Sequence, residues 1–462
     1  MPHPVITPDD ARLIAKILDR SDFDRWAARA RSTGGCSQPI FLHGNVDHVH
    51  KVTGESLHHY TTDSEPDGAL PVACKTRRAT RCPACAEVYR ADTYQLIRAG
   101  LTGGKGVPET VTKHPAAFVT LTAPSFGPVH AHRGRSGGRA ERCHPRRDAV
   151  TCPHGVRMSC TAKHSADDSR LGAPLCPDCY DYSGSVLFNA LAPELWRRYT
   201  LALRRYVVRA AGLTLKEFRE SAVISFAKVA EYQRRGVVHF HAVIRLDGPD
   251  GPHSSPPSWA TFTLLEDAVR HAASAVSVTT PESPEVPARS LTWGTQVDVK
   301  AITASGALTE QAVAGYIAKY ATKAAECVGT LDRRVHENED LAALPITPHA
   351  RRLIAECLRL GDLEEFADLR LVQWAHMLGF RGHFSTKSRR YSTTLGALRQ
   401  ARIDFVRQQR PGWQPPDEQA AEITVLAEWR FAHQGLTRGE ALVTAALTGR
   451  DVLIPPNSPS AE

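Results

Sequence analysis

The sequence predicts an α+β protein with an antiparallel, ferredoxin-like sheet, cysteine-rich zinc-binding segments and a helical C-terminal region. Three observations lead there. Two alternating runs, Val229 to Gln233 and Val237 to Ile244, flank the short turn Arg234-Arg235-Gly236 and read as a β-hairpin. Helical patterns lie on both sides of that hairpin in the chain, as connections that cross back over a sheet require. Two Cys-Pro-x-Cys pairs, Cys82 with Cys85 and Cys176 with Cys179, have the spacing that brings two thiolates to one zinc ion.

The 462 residues are enough for a sizeable core and divide by pattern into four stretches. Residues 1–105 are an N-terminal helical and zinc-binding region, and 106–330 a sheet domain with a zinc-binding insertion at about 130–184. Residues 331–454 are a helical C-terminal region and 455–462 a disordered tail. The net charge of +8 favours a polyanionic partner. No run of apolar residues is long enough to span a membrane and the N-terminus lacks a signal-peptide pattern, so the expected location is the cytoplasm, with no membrane partner. Eleven cysteines in a reducing compartment read as metal ligands rather than disulfides.

Residues 8–31 form one amphipathic helix or two, with Leu13, Ile14, Ile17, Leu18, Phe23 and Trp26 on the apolar side. Cys36, Cys74, Cys82 and Cys85 then make a first four-sulfur structural zinc site, in which His43, His48 or His50 could replace Cys36. Between those cysteines, Lys75, Arg77, Arg78 and Arg81 form a basic stretch suited to DNA phosphates or to solvent. The strand Phe118 to Thr122 opens the sheet. The insertion offers Cys152, Cys160, Cys176 and Cys179 for a second structural zinc, with Cys143 or one of His144, His154 and His164 as competitors. Residues 185–215 alternate apolar and arginine-rich faces and predict a helix pair on the sheet. Past the hairpin, a helix at about 259–275 and the strand Gln296 to Lys300 complete the pattern, and residues 394–450 read as helices. The stretch Gly379 to Tyr391 mixes aromatics with Arg381, Lys387, Arg389 and Arg390, a composition that stacks on bases and pairs with phosphates.

Two constellations carry chemistry. If the turn is Arg234-Arg235-Gly236, Glu231 falls opposite His239, with Cβ atoms about 4.5–5.5 Å apart, and alternation puts His241 on the same face. One carboxylate and two imidazoles suit a divalent ion, Mg²⁺ or Mn²⁺, with positions left for a substrate phosphate. A lone His-x-His pair also fits a solvated strand face. The second constellation is a helix from about Thr309 to Glu326 that carries Tyr316, Lys319, Tyr320 and Lys323, two Tyr-x-x-Lys units in succession. An aromatic core stripe with Val313, Ile317 and Ala324 would use the same spacing. A nearby cation favours the phenolate, the form that attacks phosphorus.

Together the His-hydrophobe-His strand, the later Tyr-x-x-Lys-Tyr helix and the earlier Phe118-Val-Thr-Leu-Thr122 strand resemble the HUH endonucleases, specifically the two-tyrosine rolling-circle replication initiators. The Cys-Pro-x-Cys elements, Leu175 to Tyr182 and Gly379 to Phe384 resemble the initiators of actinobacterial plasmids and integrative elements; the likeness spans roughly residues 30–395. The resemblance implies an HUH endonuclease sheet that binds single-stranded and duplex DNA at a bacterial plasmid origin, with Arg234 and Arg235 among the DNA contacts. It implies a tyrosine nick leaving a 5′-phosphotyrosine and a priming 3′-OH, and strand rejoining at termination. Without a G-x-x-x-x-G-K-S/T loop, unwinding and elongation would fall to a host helicase and DNA polymerase. A two-tyrosine HUH transposase and a non-catalytic zinc-stabilised DNA-binding regulator are the alternatives.

Overall fold

The computed structural model describes residues 6–134, 141–303, 309–321, 328–336, 338–409 and 423–455. Two helices open the chain, α1 (Pro8–Leu18), started by the Thr7–Asp10 capping box, and α2 (Phe23–Ser32). Three strands follow, β1 (Ile40–His50), β2 (Ser56–Thr61) and β3 (Leu70–Val72), and then helix α3 (Pro83–Thr102). The second half of α3 leads to β4 (Ala116–Leu121), the long insertion, α4 (Tyr182–Ala210), α5 (Leu215–Ser221) and the hairpin strands β5 (Val223–Tyr232) and β6 (Val238–Asp247). Next come α6 (Phe262–Ala275), the small pair β7 (Ser277–Thr279) and β8 (Ser290–Thr292), β9 (Val297–Ala301), α7 (Glu310–Ala321), α8 (Pro348–Gly361) and β10 (Ser385–Lys387). The chain closes with α9 (Leu395–Gln408), β11 (Ile423–Gln434) and α10 (Arg438–Thr448). No helix among the described residues is long and apolar enough to cross a membrane.

The chain divides into two compact units, one of residues 1–92 and 395–462 and one of residues 93–394. This differs from the division into consecutive stretches read from the sequence: the two ends of the chain fold together. The reason is a strand pairing that no local pattern announces. β11 runs antiparallel to β1 along its whole length, with Ile40 opposite Gln434 and His50 opposite Ile423. The alternation Ile423, Val425, Ala427, Trp429 supplies the strand, so the expectation of an all-helical C-terminal region is corrected here. In the same unit α10 packs on α1 and α2, and Arg438 pairs with the buried Asp10 carboxylate.

The second unit is organised by an antiparallel five-stranded sheet in the order β10-β5-β6-β4-β9. Its two faces are chemically different. Ala117, Val119 and Leu121 of β4 and Val238, Phe240, Ala242 and Ile244 of β6 point to one side and are fully buried. Leu187, Phe188, Leu195 and Tyr199 of α4 and Leu265, Val269 and Ala272 of α6 join the same core. The other face carries Phe118, Thr120, Glu231, His239 and His241, the period of two doing the sorting. The predicted helix pair over 185–215 is one long helix, α4, followed by the short, separately capped α5. At the base of the sheet Arg245 is wholly buried and forms an ion pair with Asp247, which also receives His114 at 2.8 Å.

Candidate active site and metal centres

The hairpin register is the one its sequence predicts. Glu231 stands opposite His239, Gln233 N–H donates to Val237 O at 2.9 Å, and Gly236 takes a positive φ of 76° to close the three-residue loop. That geometry brings three donor atoms together. Glu231 Oε2 lies 3.0 Å from His239 Nε2 and 3.2 Å from His241 Nε2, and the two imidazole nitrogens are 3.2 Å apart. Burial disfavours the Glu231 carboxylate, but hydrogen bonds with His239 and His241 outweigh it and hold its pKa down at about 2. Burial also lowers the pKa of His241, favouring the neutral form that ligates a cation.

β4 completes the site. Thr120 pairs with His241 across the sheet and its Oγ1 lies 3.0 Å from His241 Nδ1. The contact holds the ring's orientation, and an imidazole that donates from Nδ1 to this hydroxyl keeps its Nε2 lone pair for a metal. Phe118, two residues earlier on the same face, lies parallel to the His241 ring at 5.8 Å and meets the Tyr316 ring edge-on at 5.7 Å. The positions of both were given by the strand motif. Their roles as supports of His241 and Tyr316 become visible only when β4 is seen beside β6.

The helix α7 packs against β5 and delivers Tyr316 to the cluster, its Oη 3.2 Å from His241 Nε2. Tyr316 as a whole remains 36% exposed. Val313 and Ile317 are buried while Tyr316 stays partly exposed, so the tyrosine lies at the edge of the helix's core stripe. Lys319 is exposed on the same helix. Tyr320 belongs to α7, and Lys323 lies outside the described residues.

The cysteines gather into compact groups. Cys36, Cys74, Cys82 and Cys85 converge as predicted, with Cys36 and Cys82 sulfurs 3.8 Å apart and backbone N–H groups of Ser37, Cys74 and Cys85 directed at them. Zn–S bonds of about 2.3 Å arranged tetrahedrally put neighbouring sulfurs about 3.8 Å apart, so the donor set fits zinc. The second predicted set is only partly brought together. Cys152, Cys176 and Cys179 meet, but the fourth donor is His154, whose Nδ1 lies 3.3 Å from Cys179 Sγ; Cys160 lies instead beside His130, Cys143 and His164. The sequence assignment failed because Cys160 is close to Cys152 in the chain while the Cys152-Pro-His154 turn carries the nearer donor.

The residues expected to touch DNA separate into different environments. Arg234 is exposed and donates to Ala166 O at 2.8 Å. Arg235 turns inward, donating to Ala123 O, Pro124 O and Gln233 Oε1, and burial lowers its pKa; its geometry is that of a structural tie. Lys387 is half-buried and donates to Ser392 O at 3.0 Å, whereas Arg381, Arg389 and Arg390 are exposed. Arg389 and Arg390 line an open cleft of about 400 Å³ with Lys105 and His253. Arg77 and Arg78 lie half-buried in the other unit.

Comparison with known proteins agrees in extent with this architecture. A family model described as "Replication initiator protein, pSAM2" matches residues 22–449. A "Replication initiator protein" of Streptomyces ambofaciens is 49% identical over 455 residues, covering 97% of this chain and 94% of the relative. No solved structure matches. Matched across both units and along nearly its whole length, the chain belongs to the pSAM2-type replication initiator protein family.

Proposed function

We propose that this chain is a plasmid rolling-circle replication initiator acting as a metal-dependent, site-specific single-strand DNA endonuclease and strand transferase of the two-tyrosine HUH type. The carrying observation is the approach of Tyr316 Oη to His241 Nε2, at 3.2 Å, beside a three-donor cluster. The strand order β9-β4-β6-β5, with helices in the β4–β5 and β6–β9 connections, supports the ferredoxin-like reading of the sheet. Family membership supports an origin of replication as the DNA that is bound.

Glu231, His239 and His241 would hold Mg²⁺ or Mn²⁺. When bound, such an ion polarises the scissile phosphate and orients its oxygens. The tyrosine oxygen, having released its proton to solvent, bonds to phosphorus as the P–O3′ bond breaks. The 3′ oxygen takes up a proton and becomes the priming 3′-OH, while the 5′ side stays on the enzyme as a phosphotyrosine diester. One phosphodiester replaces another, so the step needs no nucleotide hydrolysis and its reversal rejoins strands. Lys319 and Lys323 stabilise charge on the phenolate and the phosphorane, and Tyr320 is the second nucleophile for the regenerated origin. Zinc at the cysteine groups is structural. Unwinding and elongation fall to host helicase and DNA polymerase.

The test mixes purified protein with labelled single strands tiling its own replicon, in Mn²⁺ or EDTA. A denaturant-resistant adduct is expected in Mn²⁺ alone, and it is lost in His239→Ala and in the Tyr316→Phe/Tyr320→Phe double variant. Specific duplex binding without an adduct on any strand would make the protein a zinc-stabilised regulator instead.

A further inference from the structure

The insertion between β4 and α4 has almost no apolar interior. Among the described residues from 127 to 175, glycine and proline aside, the buried side chains are Cys143 and His164. Both belong to one cluster, His130, Cys143, Cys160 and His164, whose donor atoms all lie within 4.8 Å of one another. His130 Nδ1 is 3.1 Å and Cys160 Sγ 3.5 Å from His164 Nε2.

The surroundings of the four are those of metal ligands. His164 Nδ1 lies 2.7 Å from Asp168 Oδ2, and Asp168 is itself held by Arg170 at 2.8 Å. A carboxylate on one imidazole nitrogen fixes the tautomer and leaves the other nitrogen's lone pair for an ion. Cys143 Sγ accepts from Ala131 N–H at 3.2 Å and has His144 Nδ1 at 3.0 Å. A segment that buries two potential ligands and no aliphatic side chain needs a cross-link to keep its shape.

The same cluster reaches the catalytic hairpin. His130 exchanges backbone hydrogen bonds with Gly172 and Ala173, each of 2.8 Å, and so ties its own segment to the end of the loop that starts at His164. Within that loop Ala166 O receives the Arg234 guanidinium. Gly172, at φ +85°, passes so close to the hairpin turn that a Cβ there would lie 2.1 Å from Arg234 O. We propose that His130, Cys143, Cys160 and His164 bind a third structural zinc ion, which holds the 164–172 loop against the turn of the β5–β6 hairpin.

Zinc is counted by native mass spectrometry on the full chain after a mild EDTA wash. Three zinc ions per chain are expected, and two in the Cys143→Ser/Cys160→Ser variant. Asp168→Asn keeps every ligand and guards against a variant that fails to fold; it should retain three ions but give one up to a chelator at about 10- to 100-fold lower affinity. Loss of that ion should speed hydrogen exchange in the peptide covering residues 232–238. Two zinc ions in the wild-type chain, with Cys143 and Cys160 alkylated in the folded protein, would overturn the site, and unchanged exchange on losing the third ion would overturn its hold on the hairpin. These readouts do not involve DNA cleavage, so they stand or fall apart from the nuclease reading.

Discussion

Thr120 carries no charge, yet its Oγ1 sits on the one nitrogen of His241 that is turned away from Glu231. Replacing it with valine keeps the shape of the strand and removes the acceptor. Thr120→Val should lower Mn²⁺ affinity about 10- to 100-fold with little change in melting temperature, as loss of a ligand's supporting hydrogen bond does elsewhere. Titration calorimetry with Mn²⁺ measures it, and Thr120→Ser should restore binding; equal affinities in all three proteins would leave Thr120 with a packing role alone. At this scale the sequence was informative where one strand's alternation sufficed. Glu231, His239 and His241 could be placed on one face from the hairpin alone. The contact of Thr120 with His241 could not, because it depends on which strand lies next to β6.

At the scale of elements, the hairpin is anchored at its turn. Arg235 reaches from the turn to the carbonyls of Ala123 and Pro124, just beyond the end of β4, at 3.0 and 2.8 Å. Its neighbour Arg234 points outward. The sequence offered two adjacent arginines in a turn as one basic feature; folding gives them different work, Arg234 on the exposed side and Arg235 on the carbonyls that follow β4. Arg235→Ala should therefore cost about 2–3 kcal/mol through the buried carbonyls it leaves unpaired. Urea unfolding would read that loss. Arg389→Ala/Arg390→Ala, by contrast, should weaken DNA binding in a salt-dependent manner while leaving the urea midpoint in place. A stable Arg235→Ala with weakened DNA binding would return Arg235 to the interface. The insertion's ligand sets were hard to read for a related reason. Its cysteines and histidines are close in sequence, and only the turns at Pro153 and between His164 and Gly172 decide which donors meet.

For the whole molecule, the decisive contact is the longest in sequence. β1 lies between β11 on one side and β2 and β3 on the other, so residues 40–50 have their full set of neighbours only when residues 423–434 are present. Leu453 N–H also donates to Ser37 Oγ at 3.0 Å, next to the Cys36 zinc ligand candidate. None of this has a local signature, which is why the sequence suggested consecutive domains. The sheet of residues 93–394, in contrast, draws its strands and its core from within its own span. A chain ending at Thr394 would leave β1 without β11 and α1 without α10. Its first 92 residues should then become sensitive to limited proteolysis and lose the zinc of Cys36, Cys74, Cys82 and Cys85. The remainder should keep its protection and its Mn²⁺-dependent cleavage of a single-stranded oligonucleotide. Equal protease resistance of both parts would mean that β11 and α10 are accessories to an N-terminal fold that stands without them; loss of both together would mean that the two units fold as one cooperative body.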